Sequence, residues 1–441
     1  MFDKNAAAKN PPMGWNSYDY YDTTVCEQDV RANAEYMAEH LKPFGYEYVV
    51  VDIQWSDPDA GKNRPQEQYI SFSHICLDEY SRQLPAENRF PSSRNGAGFK
   101  PLADFIHRLG LKFGIHIMRG IPRYAAHTHM KLKGTEATAN QIASPYSISK
   151  WNGDMYGVLH DRVGAQEYYN SLFELYALWG VDFVKVDDIC NTNMYEKNPY
   201  SAEKEIEMIH KAIAACGRPM VLSLSPGPAV IEKAWHLEKY ANMWRITDDF
   251  WDNWVLLKAM FERCEVWQKH VSEGCFPDCD MLPVGRLGKG FLHERSTNFT
   301  FDEQKTMLTL WCMFRSPLMI GAELPMLDKP TLELLTNREV LYMATDCHGA
   351  RQVTRDNGHA VWTCNDNHSN DCFVALFNLS EQDKAMEASL SAIGISKVAA
   401  LEDLWEHRTV ELPHIWQMIE EGSGISAIVP AHGVVLYRVK V

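Results

Sequence analysis

Acids and cations stand where short apolar runs break off. Asp52 closes YEYVVVD, and His116 closes LGLKFGIH with Arg119 three residues further on. Lys185 and Asp187 lie at the end of GVDFVKVDD, Ser225 follows MVLSL, Arg245 and Asp249 share WRITDD, and Asp280 sits in CDML. Two carboxylates flanking a polar pocket can cleave a glycosidic bond, one ionised to attack and the other protonated to help the leaving group. Lys185 precedes Asp187 by two residues, so in an extended chain both side chains share a face. There the ammonium either holds Asp187 as a carboxylate or binds a substrate hydroxyl. Arg245 precedes Asp249 by four, within reach to orient a hydroxyl or a neighbouring carboxylate through its fork. Gathering four acids and three cations at one mouth is costly unless the group is used. A metal-dependent hydrolase would use the same acids but normally adds histidine ligands, such as a His-x-His after the first strand, and none is present. No metal or other cofactor is expected.

The elements that position these groups alternate. In Gly180–Cys190, Gly180 stops a helix and Val181–Val186 is a buried strand ending in paired aspartates. Alone, that stretch reads first as an Asp-rich turn whose acid caps the next helix. The pattern recurs, however. Strands are predicted at Tyr46–Asp52, Leu111–His116, Met220–Leu224, Met243–Ile246, Asp280–Leu282 and Pro317–Ile320. Helices are predicted at Glu27–Leu41, Pro101–Leu109, Gln166–Trp179, Ala202–Cys216, Val230–Tyr240, Trp254–Lys269 and Asp302–Met313. Pro11–Tyr18 reads as an entry loop rich in aromatic residues, and Ser56–Gly98 as a long loop of the kind that is usually functional. Roughly eight strand–helix alternations with polar residues after each strand point to parallel strands and an α/β fold, a (β/α)8 TIM barrel with its chemistry at the C-terminal strand ends. No G-x-G-x-x-G follows the first strand to suggest a dinucleotide fold. From about Thr345 helical periodicity gives way to short β-rich segments such as Cys372–Phe377 and Val434–Val439. The expected division is a barrel over residues 1–345 and an antiparallel β-sandwich over 346–441.

Composition narrows the partners. The 441 residues carry a formal net charge of −15 and no Lys/Arg block, which excludes a general nucleic-acid or anionic-membrane surface. No run reaches the ~20 apolar residues of a membrane span, and the first residues lack an apolar signal region, so a cytoplasmic location is expected. Eleven cysteines without paired spacing fit reduced thiols, and Cys275 with Cys279 is a lone C-x3-C without a second pair for zinc. Homo-oligomerisation is left open.

Taken in order, PPMGWNSY (Pro11–Tyr18), VVVDIQW (Val49–Trp55), LGLKFGIH (Leu109–His116), WGVDFVKVDD (Trp179–Asp188), WRITDDFWDNW (Trp244–Trp254), CDMLPVG (Cys279–Gly285) and VPAHGVVLYRV (Val429–Val439) resemble glycoside hydrolase family 27 along almost the whole chain. That resemblance implies a (β/α)8 barrel, a following antiparallel β domain and metal-free retaining hydrolysis of galacto-configured pyranosides. It carries the nucleophile onto Asp187 with its sugar-binding Lys185, and the acid/base onto Asp249 with Arg245. Asp52 matches the first aspartate of the family's D-D-x-W, while Trp15 and Tyr18 match its aromatic entry segment. Trp15 is either a sugar contact or core, and Asp248 is a second acid candidate only by proximity.

Departures from the family pattern bear on the sugar. Ile53 replaces the second aspartate of D-D-x-W, which removes a charged hydrogen-bonding partner and crowds the place of a galactose hydroxymethyl. L-Arabinopyranose lacks that group, and its β-L linkage has the configuration of the α-D-galactosyl linkage, so the resemblance leans to β-L-arabinopyranosidase. An α-galactosidase or α-N-acetylgalactosaminidase is the alternative, and a non-catalytic carbohydrate-binding barrel the distant one. Ser225 stands where galactosidases carry a Glu, as in the N-acetylgalactosaminidases, but Pro228 replaces the small residue expected three positions on. His116 replaces a Tyr; it and Arg119 either reshape the far side of the sugar or, for His116, form a hydrogen-bonded wall.

Overall fold

Short buried runs and amphipathic helices alternate along the first part of the chain, and the alternation builds a ring. The computed structural model describes residues 3–192, 194–195, 197–356, 358–410 and 424–441. Eight strands form one sheet: β1 (Met13–Asn16), β2 (Tyr48–Val51), β3 (Lys112–Met118), β4 (Phe183–Asp187), β5 (Val221–Leu224), β6 (Met243–Arg245), β7 (Phe276–Asp278) and β8 (Leu318–Ile320). They lie in the order β7-β6-β5-β4-β3-β2-β1-β8. The pairs from β1 through to β7 are parallel. Beyond β7, Leu282 makes a parallel bridge to Ile320, donating its N–H to the Met319 carbonyl (2.8 Å) and accepting from Gly321 N–H (3.1 Å). That bridge closes the ring into a (β/α)8 barrel.

Register decides which groups share a level. His116 on β3 pairs with Lys185 on β4, which pairs with Ser223 on β5, and two residues further along Met118 pairs with Asp187. Arg245 on β6 pairs with Asp278 on β7.

Two strands differ from the sequence expectation. Pro11–Tyr18 is not simply an entry loop, because Met13–Asn16 is β1, fully buried and paired with β2. The run MGWN has no β-branched residue, so propensity does not mark it. Gly14 is required there: a Cβ would lie 2.1 Å from the Tyr48 carbonyl oxygen of β2. The seventh strand is Phe276–Asp278, not Asp280–Leu282. Asp280 has φ +78, which turns the chain and leaves Leu282 only its single bridge.

By contacts the chain divides into two compact units. One comprises Met1–Asp249, Ser272–Ser296 and Met319–Leu327; the other comprises Phe250–Val271, Thr297–Leu318 and Asp328–Val441. The first holds the helices Glu27–His40, Lys100–Arg108, Ala165–Trp179, Glu203–Ala215 and Ala234–Tyr240. Its long loop 56–98 is pinned by Arg89, whose guanidinium donates to the carbonyls of Gln54, Asp57, Thr23 and Val25. A second insertion, between β3 and Ala165, forms a three-stranded antiparallel sheet of Ile121–Pro122, Met155–Val158 and Ala143–Ile148.

The second unit pairs the helices Trp254–Trp267, Phe301–Phe314, Lys329–Leu335 and Arg338–Asp346 with a six-stranded antiparallel sheet. Its strand order is Cys347–Arg355, His359–Asp366, Cys372–Asn378, Val434–Lys440, Ala400–Asp403 and Arg408–Val410. Lys384–Ser389 and Gly424–Val429 make a separate two-stranded sheet. Val374, Leu376 and Val439 from the first sheet and Met386, Ala388 and Ile425 from the second share one apolar core, the arrangement of a β-sandwich.

Candidate active site

The C-terminal ends of β1 to β4 bring a charged cluster together. Asp52 follows β2 and is 2 % exposed. Its Oδ2 accepts from Asn16 Nδ2 (2.7 Å) and Lys185 Nζ (2.9 Å), and its Oδ1 from the Ile53 N–H (2.8 Å). Burial disfavours the carboxylate, but the Lys185 ammonium, His116 and these donors outweigh it and hold the carboxyl well below its usual range. Burial likewise works against the Lys185 charge. The facing carboxylates of Asp52 and Asp187 reverse that and push its pKa up, so the ammonium persists.

Asp187 ends β4. His116 Nε2 donates to its Oδ2 (3.1 Å), and the Asp188 N–H donates to its Oδ1 (3.0 Å). Burial would raise its pKa; the hydrogen bond and charge of His116, with Lys185, bring it below the ordinary value. His116 is a wall residue tied to Asp187, and its own carbonyl accepts from the Trp55 indole N–H (2.6 Å). Asp187 is therefore an ionised carboxylate with both oxygens oriented, which is what a nucleophile needs.

A second pair lies after β6. Arg245 Nη2 donates to Asp249 Oδ1 (3.0 Å) and is 2.9 Å from Asp280 Oδ2. The Asp249 side chain is 53 % exposed, against 9 % for Asp280. Arg245 thus keeps a buried counter-charge in Asp280 whichever protonation state Asp249 takes. Asp248 is exposed and accepts the Asp249 N–H. Asp278, paired with Arg245 on the neighbouring strand, is pushed up to about 7 by burial and by the Asp280 charge. Burial and then the Asp280 charge raise the pKa of Asp19, buried nearby, well above its usual value.

The remaining positions sort by burial. Ser225 is 1 % exposed and lines a cavity with Asn16, Lys185, Arg245 and Asp280; its Oγ lies 3.4 Å from the Val186 carbonyl. Ile53 is 3 % exposed and packs with Met118 and Met155, against which Tyr18, Tyr69 and Trp151 also lie. One side of the mouth is therefore an apolar and aromatic wall. Tyr18 packs edge-on to Phe291, and its hydroxyl accepts from Gln68 Nε2 (3.1 Å). Trp15 is 0 % exposed and donates its indole N–H to the Ala322 carbonyl (2.8 Å), which is a core position with no free face. Arg119 turns away from the mouth into a buried ion pair with Asp188 and Glu205, so it does not shape the far side of the site. Asp188 is its structural partner.

Asn16, Tyr69, Met118, Trp151 and Met155 also stand at the site and are not marked by the sequence pattern. Asn16 ends β1, and the rule that polar residues follow strands finds it once that strand is recognised. Tyr69 and Trp151 come from the two long insertions, which carry no periodic signal. Among the described residues no group of three or more His, Cys, Asp or Glu side chains is disposed to hold a metal ion, and no helix is long and apolar enough to cross a membrane.

Two family models match the chain. A family model described as alpha galactosidase A matches residues 159–346, and one described as the alpha galactosidase C-terminal beta sandwich domain matches 356–439. The crystal structure of a family 27 β-L-arabinopyranosidase from Geobacillus stearothermophilus is 51 % identical, with a TM-score of 0.93, over 99 % of this chain and 98 % of that one. An alanine variant of the same enzyme, in complex with arabinose, superposes with a TM-score of 0.94 at 50 % identity, over 100 % of this chain and 99 % of that one. An alpha-galactosidase of Cyamopsis tetragonoloba is 28 % identical over 98 % of this chain and 87 % of its own length.

Proposed function

The chain belongs to glycoside hydrolase family 27, and from that membership we propose a retaining exo-glycosidase that removes terminal β-L-arabinopyranosyl residues by double displacement. Asp187 attacks the anomeric carbon while Asp249, protonated, gives its proton to the leaving oxygen. Asp249, now a carboxylate, then takes a proton from water, and that water releases the sugar from Asp187. His116 and Lys185 keep the Asp187 carboxylate ionised and aimed, and Arg245 is held by Asp280 while Asp249 gains and loses its proton. Asp52, Lys185 and Asn16 are the polar groups that bind the sugar hydroxyls, and Ser225 lines a cavity together with Asn16 and Lys185.

The observation that carries the choice of sugar is the wall around Ile53. Ile53, Met118 and Met155 supply no hydrogen-bond partner for a hydroxymethyl group at C5, and they favour an apolar ring methylene in its place. The 51 % identical family member described as a β-L-arabinopyranosidase supports the same reading. An α-D-galactosidase is the second reading, supported by the full-length similarity to the Cyamopsis enzyme and by the shared configuration of the two linkages. Hydrolysis of the paired nitrophenyl β-L-arabinopyranoside and α-D-galactopyranoside, without added metal, separates them. A higher kcat/KM on the arabinoside supports the proposal, and a clear preference for the galactoside overturns it.

A further inference from the structure

Asp188 has φ +56, a left-handed conformation that costs a residue with a Cβ and that glycine adopts freely. It directly follows Asp187, and its N–H is one of the donors to the Asp187 carboxylate. Something must hold that turn. Arg119, at the end of β3, does so from several directions. Its main-chain N–H donates to the Asp187 carbonyl (3.0 Å), its Nε to the Asp188 carbonyl (2.5 Å), and its Nη2 lies 3.1 Å from Asp188 Oδ2. One side chain thus grips the main chain and the carboxylate of the same strained residue.

Arg119 is itself fixed. Its Nη1 donates to Glu205 Oε1 (3.0 Å) on the helix Glu203–Ala215 and to Ser147 Oγ (3.1 Å). Glu205 Oε2 in turn accepts from the Tyr169 hydroxyl (2.6 Å), and that hydroxyl accepts the Gly120 N–H (3.0 Å). Arg119, Asp188, Glu205 and Tyr169 are 3, 2, 5 and 0 % exposed. The insertion closes over the guanidinium at Gly157, where a Cβ would come within 2.5 Å of Arg119 Nη1. None of these groups faces the sugar site. Two buried acids around one arginine form an arrangement that loses its balance when the arginine goes.

We propose that Arg119 is a positioning residue: through Asp188 it clamps the left-handed turn that aims the Asp187 carboxylate, with Glu205 and Tyr169 locking the clamp. The inference rests on reading Asp187 as the nucleophile, and the test separates the two. If Asp187→Gly keeps turnover, or fails to be reactivated by azide, that reading falls and the clamp falls with it.

With the reading secured, Arg119→Met should lower kcat on the nitrophenyl arabinopyranoside by about thirtyfold while KM changes by less than about threefold, because aim rather than sugar binding is lost. Asp188→Gly should cost no more than about fivefold, because glycine holds the turn without the clamp. The decisive variant is the double one: Arg119→Met with Asp188→Gly should regain most of the kcat that Arg119→Met lost. A merely structural role would lower the melting temperature without this rescue. A folded Arg119→Met with parental kcat, or a folded double variant as slow as Arg119→Met, overturns the proposal. If Arg119→Met does not fold, Asp188→Val against Asp188→Gly decides: the β-branched residue, which resists the left-handed turn, should be at least about tenfold slower in kcat. Equal rates for those two overturn it.

Discussion

Changing Ile53 to Asp tests the sugar preference at the side chain that sets it. Ile53 is 3 % exposed and packs on Met118 and Met155 beside Tyr18, Tyr69 and Trp151. For an arabinopyranoside the substitution removes an apolar contact worth about 0.8 kcal/mol per methylene group. For a galactopyranoside it adds a hydrogen bond from the C5 hydroxymethyl to a carboxylate, worth about 1.5–3 kcal/mol. The carboxylate must be kept ionised inside an apolar wall and beside Asp52, which offsets part of that gain. The net expectation is a ten- to hundredfold rise in the kcat/KM ratio of galactoside to arabinoside, roughly 1.4–2.8 kcal/mol. The assay is the pair of nitrophenyl glycosides at pH 5 and pH 8. The rise should be larger at pH 8, because burial lifts the pKa of the new acid. Ile53→Ala is the control: it opens space without adding an acceptor, and should move the ratio by less than about fivefold. The cost in stability is about 2–5 kcal/mol, read as a lower melting temperature. A folded Ile53→Asp whose ratio is unchanged, or shifts towards the arabinoside, shows that Ile53 does not set the sugar preference.

Asp249→Asn should slow glycosides of poor leaving groups, such as alkyl arabinopyranosides, far more than dinitrophenyl ones, since only the former need the proton; equal losses on both would contradict the acid role. Asp154, 7 % exposed, has its carboxyl pushed up to about 6 by burial. A carboxyl whose folded pKa lies above its unfolded value near 3.9 stabilises most at low pH, and that contribution is lost as pH rises through 6. Asp154→Asn should therefore gain up to about 3 kcal/mol relative to the parent between pH 4 and pH 8, read by denaturant titration at the two pH values. Asp187 has a folded pKa below its unfolded value, so its contribution has the opposite sign: present above about pH 4 and lost as pH falls further. Gly14→Ala drives a Cβ to 2.1 Å from the Tyr48 carbonyl and must part β1 from β2. It should lower both the melting temperature and kcat/KM, since Asn16 moves with β1.

The groups at β2 and β4 were legible because their strands carry β-branched runs that stop abruptly at an acid, and at β6 because Met243 and Trp244 give way to Arg245 with Asp249 four residues on. Lys185 and Asp187 show this most clearly: two residues apart, they project from one strand, and spacing alone puts them together. β1 was not legible because Met13–Asn16 is held by closeness to β2 through Gly14, a tertiary requirement that leaves no mark on propensity. The wall beside Ile53 was half visible. Ile53 stood out as an apolar residue next to Asp52, but Tyr69 and Trp151 arrive from long insertions whose course depends on anchors such as Arg89. The clamp behind Asp187 was hidden for a different reason. Arg119 and Glu205 are 86 residues apart, and a buried ion pair between a strand end and a distant helix has no local signature. Trp15 shows the converse, where an aromatic residue in a suggestive motif proves to be wholly core.

In double displacement Asp187 becomes covalently bound to the sugar. Incubation with a fluorinated arabinopyranosyl fluoride, followed by peptide mass spectrometry, reads that bond directly. A single glycosyl adduct on the peptide carrying Asp187 is expected, with release of the bound sugar in the configuration of the substrate. An adduct on another residue, or turnover that inverts the anomeric centre, would contradict it.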